Sequence, residues 1–368
     1  MSKKLSIGVC FMFLGFIALT APVAGAEEEK VVNVYFWFDY LPQDVVDSFE
    51  KETGIKVVVD TFESTGALEA KLLAGKSGYD IVCSSGGAAE RLIKTGTFKK
   101  LDKSKFTNYG NLDQDIVAGL AKHDPGNNYG VPYMWGTTGI AFNEALVKKH
   151  LPDADVRSLD LVFKPENMAK LAKCGVAFND EPAEVIPMAL NYLGLPHHST
   201  KKAQLNQAME MLKGVRPYIR HFNTGTFIEE LATGELCATI AYNGEAGLAS
   251  MRADELKNDI FIDYSIPNEG TIMWFDFLAI PADAKHPENA HKFLNFLMKP
   301  DEIAKVTNLY WYANGNAAAL AYVSDDVKAD PDIYPPPEIL QKLFPDLALK
   351  AKYRKIYNRL WTDYKANR

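Results

Sequence analysis

Apolar and polar residues alternate after residue 30 in blocks that predict strands and helices in turn. Apolar runs of strand length lie at 31–36 (VVNVYF), 55–62 (IKVVVDTF) and 79–85 (YDIVCSS). The segments between them place apolar residues four positions apart, which is the spacing of a buried helix face. Pro42 suits the first turn of the first helix, and Gly54 suits its C-terminal cap. Ser64 can cap the N-terminus of the second helix. This βαβαβ order predicts a parallel sheet that is covered by helices on both faces.

The carboxyl ends of these predicted strands are the candidate site loops. They read FWFDY at 36–40, FEST at 62–65 and CSSGG at 83–87. Ligands of open α/β sheets bind beyond the carboxyl ends of the strands, so these loops are expected to line a site. The SSGG turn could also form an anion-binding nest of backbone N–H groups. No Lys or Arg follows it closely, which favours a simple capped turn.

The middle of the chain predicts a connection between two domains. Residues 129–143 (YGVPYMWGTTGIAFN) predict two short extended runs around the glycines and threonines at 136–139. Such a segment suits a crossover between domains that move relative to one another, with an ordinary surface hairpin as the alternative. A second α/β pattern follows, and 271–281 (TIMWFDFLAIP) is again a strand of the buried type.

Composition adds that the chain is acidic and begins with an export signal. Its 368 residues are 47% hydrophobic, which is enough for one large core or two domains. Residues 1–26 join two lysines, an apolar run and an Ala-Gly-Ala cleavage site, which predicts a secretory signal peptide; a membrane anchor is the alternative. Removal of two lysines lowers the formal charge from −7 to −9, which argues against nucleic acid as a partner.

Few residues suit catalysis or metal binding. No Gly-rich nucleotide motif, nucleophile elbow or HExxH motif occurs, and the seven histidines are scattered. We therefore expect no enzymatic activity, no cofactor and no metal site. Three cysteines remain after residue 26, at Cys83, Cys174 and Cys237. An oxidising compartment allows two of them to pair, but their spacing does not select the pair.

Aromatic residues recur beside acids near the ends of predicted elements. The sets are Trp37, Asp39 and Tyr40; Tyr242 and Glu245; and Trp274, Phe275 and Asp276, with Trp311 and Tyr312 following. Aromatic residues at strand ends often belong to the core, which is the alternative reading of each set. Together the sets suit an organic cation, because ring faces attract cations and a carboxylate binds an ammonium group strongly. The pattern predicts an alkyl amine that carries more than one charge.

Motifs spread over the mature chain carry a family resemblance. They read WFDY, FEKETGIKVVVDTFES, LEAKLLAGKSGYDIV, HDPGNNYGVPYMWGTTGIAFN, FKPEN, NYLG, FDFLAIPADAK and YANGNAA, in this order. Through these motifs the chain resembles the periplasmic polyamine-binding proteins that deliver putrescine or spermidine to ABC transporters. The resemblance implies a two-lobed α/β periplasmic binding protein fold, type II-like, with hinge crossover strands. Its implied limits are 27–136 and 259–322 for lobe 1, and 137–258 and 323–368 for lobe 2.

The resemblance also implies a ligand site and a disulfide. Matched by position, the ligand-binding residues would be Trp37, Phe38, Asp39, Tyr40, Ser85, Glu184, Thr224, Tyr242, Glu245, Trp274, Asp276 and Tyr312. The acids would bind ammonium groups, and the rings would line the alkyl chain. Cys174 and Cys237 stand where relatives have a disulfide, which would leave Cys83 unpaired.

The chain departs from the family pattern at several of these loops. Phe38 stands where relatives usually have Ser or Thr, and Ser84 where they commonly have Pro. Gly87 and Ala88 make the third loop smaller than usual. Trp274 is larger than the Phe of typical putrescine binders and resembles the residue of spermidine-preferring members. Compared with the family pattern, side chains therefore fill less of the expected pocket at the third loop and more of it at Trp274.

These observations predict a monomeric periplasmic protein that captures a polyamine between its lobes, with spermidine favoured over putrescine. Its second partner would be the permease of an ABC importer in the inner membrane. One alternative is a binding protein for another organic cation, such as agmatine, cadaverine or a monoamine. Another is an amine-sensing or signalling protein on the same fold. An enzyme is disfavoured because no paired nucleophile and base can be named.

Overall fold

A computed structural model describes residues 28–38, 40–223 and 225–367 of the chain. The predicted signal peptide lies outside the described residues, and so do Asp39 and Thr224. In the described ranges the strands are β1 (Val31–Trp37), β2 (Lys56–Phe62), β3 (Ile81–Ser85), β4 (Gly130–Asn143), β5 (Val176–Asn179), β6 (His221–Asn223), β7 (Ala238–Tyr242), β8 (Ile262–Ser265), β9 (Ile272–Ala279), β10 (Ala313–Asn314) and β11 (Phe344–Pro345).

The helices lie between these strands and after them. They are α1 (Gln43–Thr53), α2 (Thr65–Leu73), α3 (Gly86–Lys94), α4 (Gln114–Leu120), α5 (Glu144–His150), α6 (Asp160–Phe163), α7 (Pro165–Leu171), α8 (Pro182–Tyr192), α9 (Lys202–Val215), α10 (Phe227–Ala232), α11 (Asn243–Glu255), α12 (Pro287–Leu297), α13 (Pro300–Tyr310), α14 (Asp325–Ala329), α15 (Pro337–Leu340) and α16 (Ala351–Lys365). Short 3-10 helices cover Lys103–Lys105, Tyr109–Asn111, Arg216–Tyr218 and Ala317–Ala321. No helix in the described part of the chain combines the length and the apolar character needed to cross a bilayer.

The first lobe is built on the parallel strand order β2–β1–β3, as the βαβαβ pattern predicted. Strand β1 buries alternate side chains, from Val32 to Phe36, against helices on its inner face. Gly54 ends α1 in the left-handed conformation, with φ 67°. The Ser64 hydroxyl accepts the N–H of Ala67 and caps α2. Both predicted caps are therefore confirmed.

Two long strands, β4 and β9, join the lobes. The sheet order is β2-β1-β3-β9-β4-β7-β5-β6, with β8 and β10 beside β4 and β11 beside β9. The first part of β4 pairs with β9, and residues Thr138–Phe142 pair with β7. The crossover prediction is confirmed, but the prediction of two short runs is wrong. Strand β4 is continuous over 14 buried residues, and the hairpin alternative is excluded.

The glycines of β4 provide space for neighbouring strands. A Cβ atom at Gly136 would overlap the Trp274 ring, and one at Gly139 would overlap the carbonyl oxygen of Ser265. Neither glycine has a positive φ angle, so their backbone conformation does not require glycine. The missing side chains instead allow β8 and β9 to approach β4 closely at the junction between the lobes.

The second lobe has its own apolar core. Strands β5, β6 and β7 are parallel, and the C-terminal helix α16 packs on them through Tyr357, Trp361 and Tyr364. Cys174 and Cys237 form a disulfide with their Cα atoms 5.5 Å apart, as the resemblance implied. Cys83 is buried and unpaired.

The implied limits of the two lobes stay a prediction. In the described residues, Ile262 and Tyr264 of β8 pack in a cluster with second-lobe residues such as Phe227. Val327 and Ile333, which follow the implied first lobe, pack in the core of that lobe. The core contacts thus cross the implied limits in both directions.

Candidate functional site

Strand pairing brings the predicted site residues together where β4 and β9 pass between the lobes. Ser85, at the end of β3, lies directly opposite Asp276 of β9. Tyr242, at the end of β7, lies opposite Thr138 of β4. Trp274 and Asp276 are two residues apart on β9, so their side chains leave the same face of the strand. The sheet therefore collects an acid and aromatic rings from both lobes at one place.

Four aromatic rings form a continuous chain at this place. The ring centroids are 5.7 Å apart for Tyr242 and Trp274, 5.2 Å for Trp274 and Tyr312, and 5.6 Å for Tyr312 and Tyr40. Each contact has the near-perpendicular geometry that aromatic pairs prefer. Burial raises the pKa of the Tyr40, Tyr242 and Tyr312 hydroxyls well above the usual range. These hydroxyls therefore stay protonated and can donate hydrogen bonds.

Asp276 is a buried carboxylate on β9, two residues after Trp274 of this ring chain. Burial raises its pKa to about 7, because removal from water penalises the charged form. The Tyr40 hydroxyl and the Trp37 indole N–H approach it closely enough to lower its pKa, which is the smaller effect. Within the residues that the structure describes, neither of these buried donors completes a hydrogen bond.

Two further buried carboxylates come from the second lobe. Burial raises the pKa of Glu184 to about 8, although the Thr138 hydroxyl donates to its Oε2 at 2.6 Å. Burial raises the pKa of Glu245 to about 7, although the backbone N–H of Tyr242 donates to its Oε2 at 3.1 Å. In both cases the hydrogen bond offsets only part of the rise in pKa that desolvation causes.

No cationic side chain neutralises these acids. In the described part of the chain, Asp276, Glu184 and Glu245 take part in no ion pair with Lys, Arg or His. A buried carboxylate without a partner costs several kcal/mol or takes up a proton. The site is therefore arranged for positive charge that the protein itself does not supply. The same residues offer no cluster of three or more ligands for a metal ion.

Phe38 is the predicted site residue that the structure does not bring into this group. Its side chain is 69% exposed, and its backbone N–H donates to the carbonyl oxygen of Phe62 at 3.0 Å. Trp37 and Ser85 lie half-buried at the edge of the group, and Ser85 precedes α3 without capping it through its hydroxyl. Asp39 and Thr224 lie outside the described residues.

Sequence reasoning missed two acids that belong to this region. Asp346 follows β11 and raises the pKa of both Asp276 and Glu184 through its negative charge. Glu181 raises the pKa of Glu184, and burial in turn raises the pKa of Glu181 itself. Glu181 was recognisable in the sequence, because it belongs to the same NDEPAE segment as Glu184. Asp346 was also recognisable, because Phe344 precedes it by two residues, the same spacing as that of Trp274 and Asp276.

Comparison with known proteins assigns the chain to a family. Residues 44–335 match the family model for bacterial extracellular solute-binding protein. The putrescine-binding periplasmic protein SpuD of Pseudomonas aeruginosa is 45% identical over 362 residues, covering 98% of this chain and 99% of that protein. The chain belongs to the bacterial extracellular solute-binding proteins. The putrescine-binding periplasmic protein PotF of Escherichia coli is 44% identical over 345 residues, covering 93% of each chain.

A solved structure shows that the fold is shared as well. The putative spermidine/putrescine ABC transporter protein of Listeria monocytogenes superposes with a TM-score of 0.80 at 30% identity, covering 92% of this chain and 100% of that chain. The predicted two-lobed periplasmic binding protein fold is therefore confirmed. Proteins of this family bind solutes and are not enzymes, which confirms that part of the prediction.

The unpartnered acids should make the ligand-free solute-binding protein less stable as the pH rises. The pKa of Asp276 is raised to about 7 in the folded chain, so the folded state holds a proton that the unfolded state loses at lower pH. The stability that this proton contributes is fully present below about pH 4, near the pKa of Asp in the unfolded chain, and is lost as the pH rises to about 7. Asp276→Asn should therefore gain stability relative to the unsubstituted protein over this range.

Urea unfolding of both proteins without ligand, at several pH values, measures this difference. Asp325→Asn is the matched control, because the Asp325 side chain is 99% exposed. The control should follow the unsubstituted protein at every pH. A constant difference between Asp276→Asn and the unsubstituted protein across the range would contradict the assignment of Asp276 as a buried, unpaired acid.

Proposed function

We propose that this protein is a periplasmic solute-binding protein that captures a polyamine between its lobes and delivers it to an ABC importer. The observation that carries the proposal is the group of three buried carboxylates, Asp276, Glu184 and Glu245, which have no cationic partner in the described residues. The names of the related periplasmic proteins support the amine class and the compartment. The predicted signal peptide supports export.

A polyamine supplies what each part of the site lacks. Its ammonium groups would neutralise the buried acids through charge-assisted hydrogen bonds. Its methylene segments would lie against Tyr40, Trp274, Tyr312 and Tyr242, whose rings also attract the adjacent positive charge by about 0.5–2 kcal/mol each when water is excluded. We also propose that Asp39 and Thr224, which the family resemblance implies as site residues, bind the ligand.

Spermidine is our preferred ligand over putrescine. Putrescine carries two ammonium groups, whereas the region holds Asp276, Glu184 and Glu245 together with Glu181 and Asp346. A third positive charge would find a negative partner among these acids, so a triamine matches the site more fully than a diamine. Trp274, which resembles the residue of spermidine-preferring relatives, supports the same choice. SpuD and PotF are both named as putrescine-binding proteins, which favours the diamine. A direct comparison of the affinities for spermidine and putrescine therefore decides between the two ligands.

A calorimetric titration of the mature protein with spermidine, putrescine, cadaverine and agmatine tests the ligand. We expect the highest affinity for spermidine and a melting temperature that rises with spermidine concentration, because the ligand binds only the folded state. Tighter binding of putrescine would overturn the preference but keep the polyamine class. The absence of heat and of thermal stabilisation with all four amines would overturn the class.

Asp276→Ala tests whether this acid binds the ligand. Removal of a buried partner of an ammonium group should weaken spermidine binding by about 2–5 kcal/mol. Glu210→Ala is the matched control, because Glu210 is an exposed acid on α9 and pairs only with Lys213. The control should bind spermidine with unchanged affinity. A loss of less than about tenfold for Asp276→Ala, or 1.4 kcal/mol, would show that Asp276 lies outside the binding site.

A further inference from the structure

His123 is a buried histidine that the proposed function does not use. Its side chain is inaccessible to solvent, in the segment that follows α4. Its Nε2 atom lies 3.2 Å from Oδ1 of Asp346, and its Nδ1 atom lies 4.0 Å from Oε2 of Glu90. Among the described residues, neither ring nitrogen of His123 has an aligned hydrogen bond, and Oδ1 of Asp346 has none either. The imidazole thus lies between two acids at the base of the third site loop.

The small residues of that loop provide the space for this contact. A Cβ atom at Gly86 would lie 2.7 Å from the His123 ring, which no real side chain tolerates. A Cβ atom at Gly87 would lie 3.1 Å from the backbone oxygen of Asp346. The Gly87 backbone N–H donates to Oδ2 of Asp346 at 3.3 Å. Neither glycine has a positive φ angle, so close packing, and not backbone conformation, accounts for both.

Asp346 connects this contact to the ligand site and to the second lobe. It accepts the backbone N–H of Gly87, two residues after Ser85, and Ser85 pairs directly with Asp276 of β9. In agreement with this position, its negative charge adds to the effect of burial in raising the pKa of Asp276 and of Glu184. The preceding residues form β11, which pairs with Ile272 and Met273 of β9. The ring of His198, from the second lobe, contacts the carbonyl oxygen of Pro345 at 2.7 Å. Asp346 is therefore held from both lobes, with His123 and Gly87 on the first-lobe side.

We propose that His123 is a positioning residue that fixes Asp346 beside the ligand site, and that the pair favours ligands with a third positive charge. The inference rests on the proposed function and adds a determinant of specificity to it. Gly86 and Gly87 make the arrangement possible, because larger residues would displace the imidazole or the Asp346 segment. The negative charge of Asp346 attracts a triamine more strongly than a diamine, because the triamine brings three positive charges to the site and the diamine brings two.

Binding of spermidine and putrescine to single and double variants tests this role. Asp346→Asn should weaken spermidine binding on the order of tenfold and putrescine binding much less. His123→Gln should shift the ratio of the two affinities in the same direction. The double variant should shift it no further than Asp346→Asn alone, because His123 acts through Asp346. Gly86→Ala, which displaces the imidazole without removing it, should give the same shift.

The controls separate a positioning role from a structural one. His150→Gln, on α5 and away from the site, should leave both affinities unchanged. A purely structural role of His123 would weaken both amines equally, leave the ratio unchanged and overturn the inference. Additive effects of the two single variants would overturn it as well. If the unsubstituted protein binds neither amine, the proposed function itself fails; if it binds both and the ratio never changes, only the role of His123 and Asp346 fails.

Discussion

Burial of carboxylates without a protein cation is the constraint on which the site depends. Asp276 lies on β9, the strand that both lobes share, and removal from water raises its pKa to about 7. Glu184 and Glu245 enter from the second lobe with pKa values of about 8 and about 7 for the same reason. Folding therefore creates a region in which the charged form of these carboxyl groups is unfavourable unless a cation is bound. A bound cation restores the favourable pairing, and its binding energy includes this relief.

The crossover strands make this arrangement possible. Strand β4 passes unbroken from one lobe to the other, and its glycines let β8 and β9 approach it closely. Pairing with these two strands thereby brings residues from distant parts of the sequence together at the junction between the lobes. The chain of four rings occupies the same junction. The rings exclude water from the acids, so the electrostatic attraction of a bound ammonium is stronger than it would be at the surface.

The sequence predicted the parts of the structure that local patterns determine. Helix caps such as Gly54 and Ser64 follow from short-range backbone chemistry, and the acids beside aromatic rings, such as Asp276, were visible as pairs. The unbroken course of β4 was not predictable, because its Gly/Thr-rich centre reads as a break unless the strands on both sides are known. Phe38 was predicted to lie in the site only because its position matches a site position of the family, yet its side chain is exposed to solvent. Asp346 was missed although Phe344 precedes it by two residues, because its place near the site depends on tertiary contacts with His123 and Gly87.

Proton release on ligand binding tests the central claim most directly. If an amine neutralises the buried acids, their pKa values fall on binding, and protons held by the ligand-free protein leave. Alkyl ammonium groups titrate near pH 10 and stay charged at neutral pH, so they do not mask the effect. Calorimetry of spermidine binding at pH 7, in buffers of different ionisation enthalpy, counts these protons. The account predicts a net release on the order of one proton per ligand. Binding without proton release would show that the buried acids are not the groups that receive the cation.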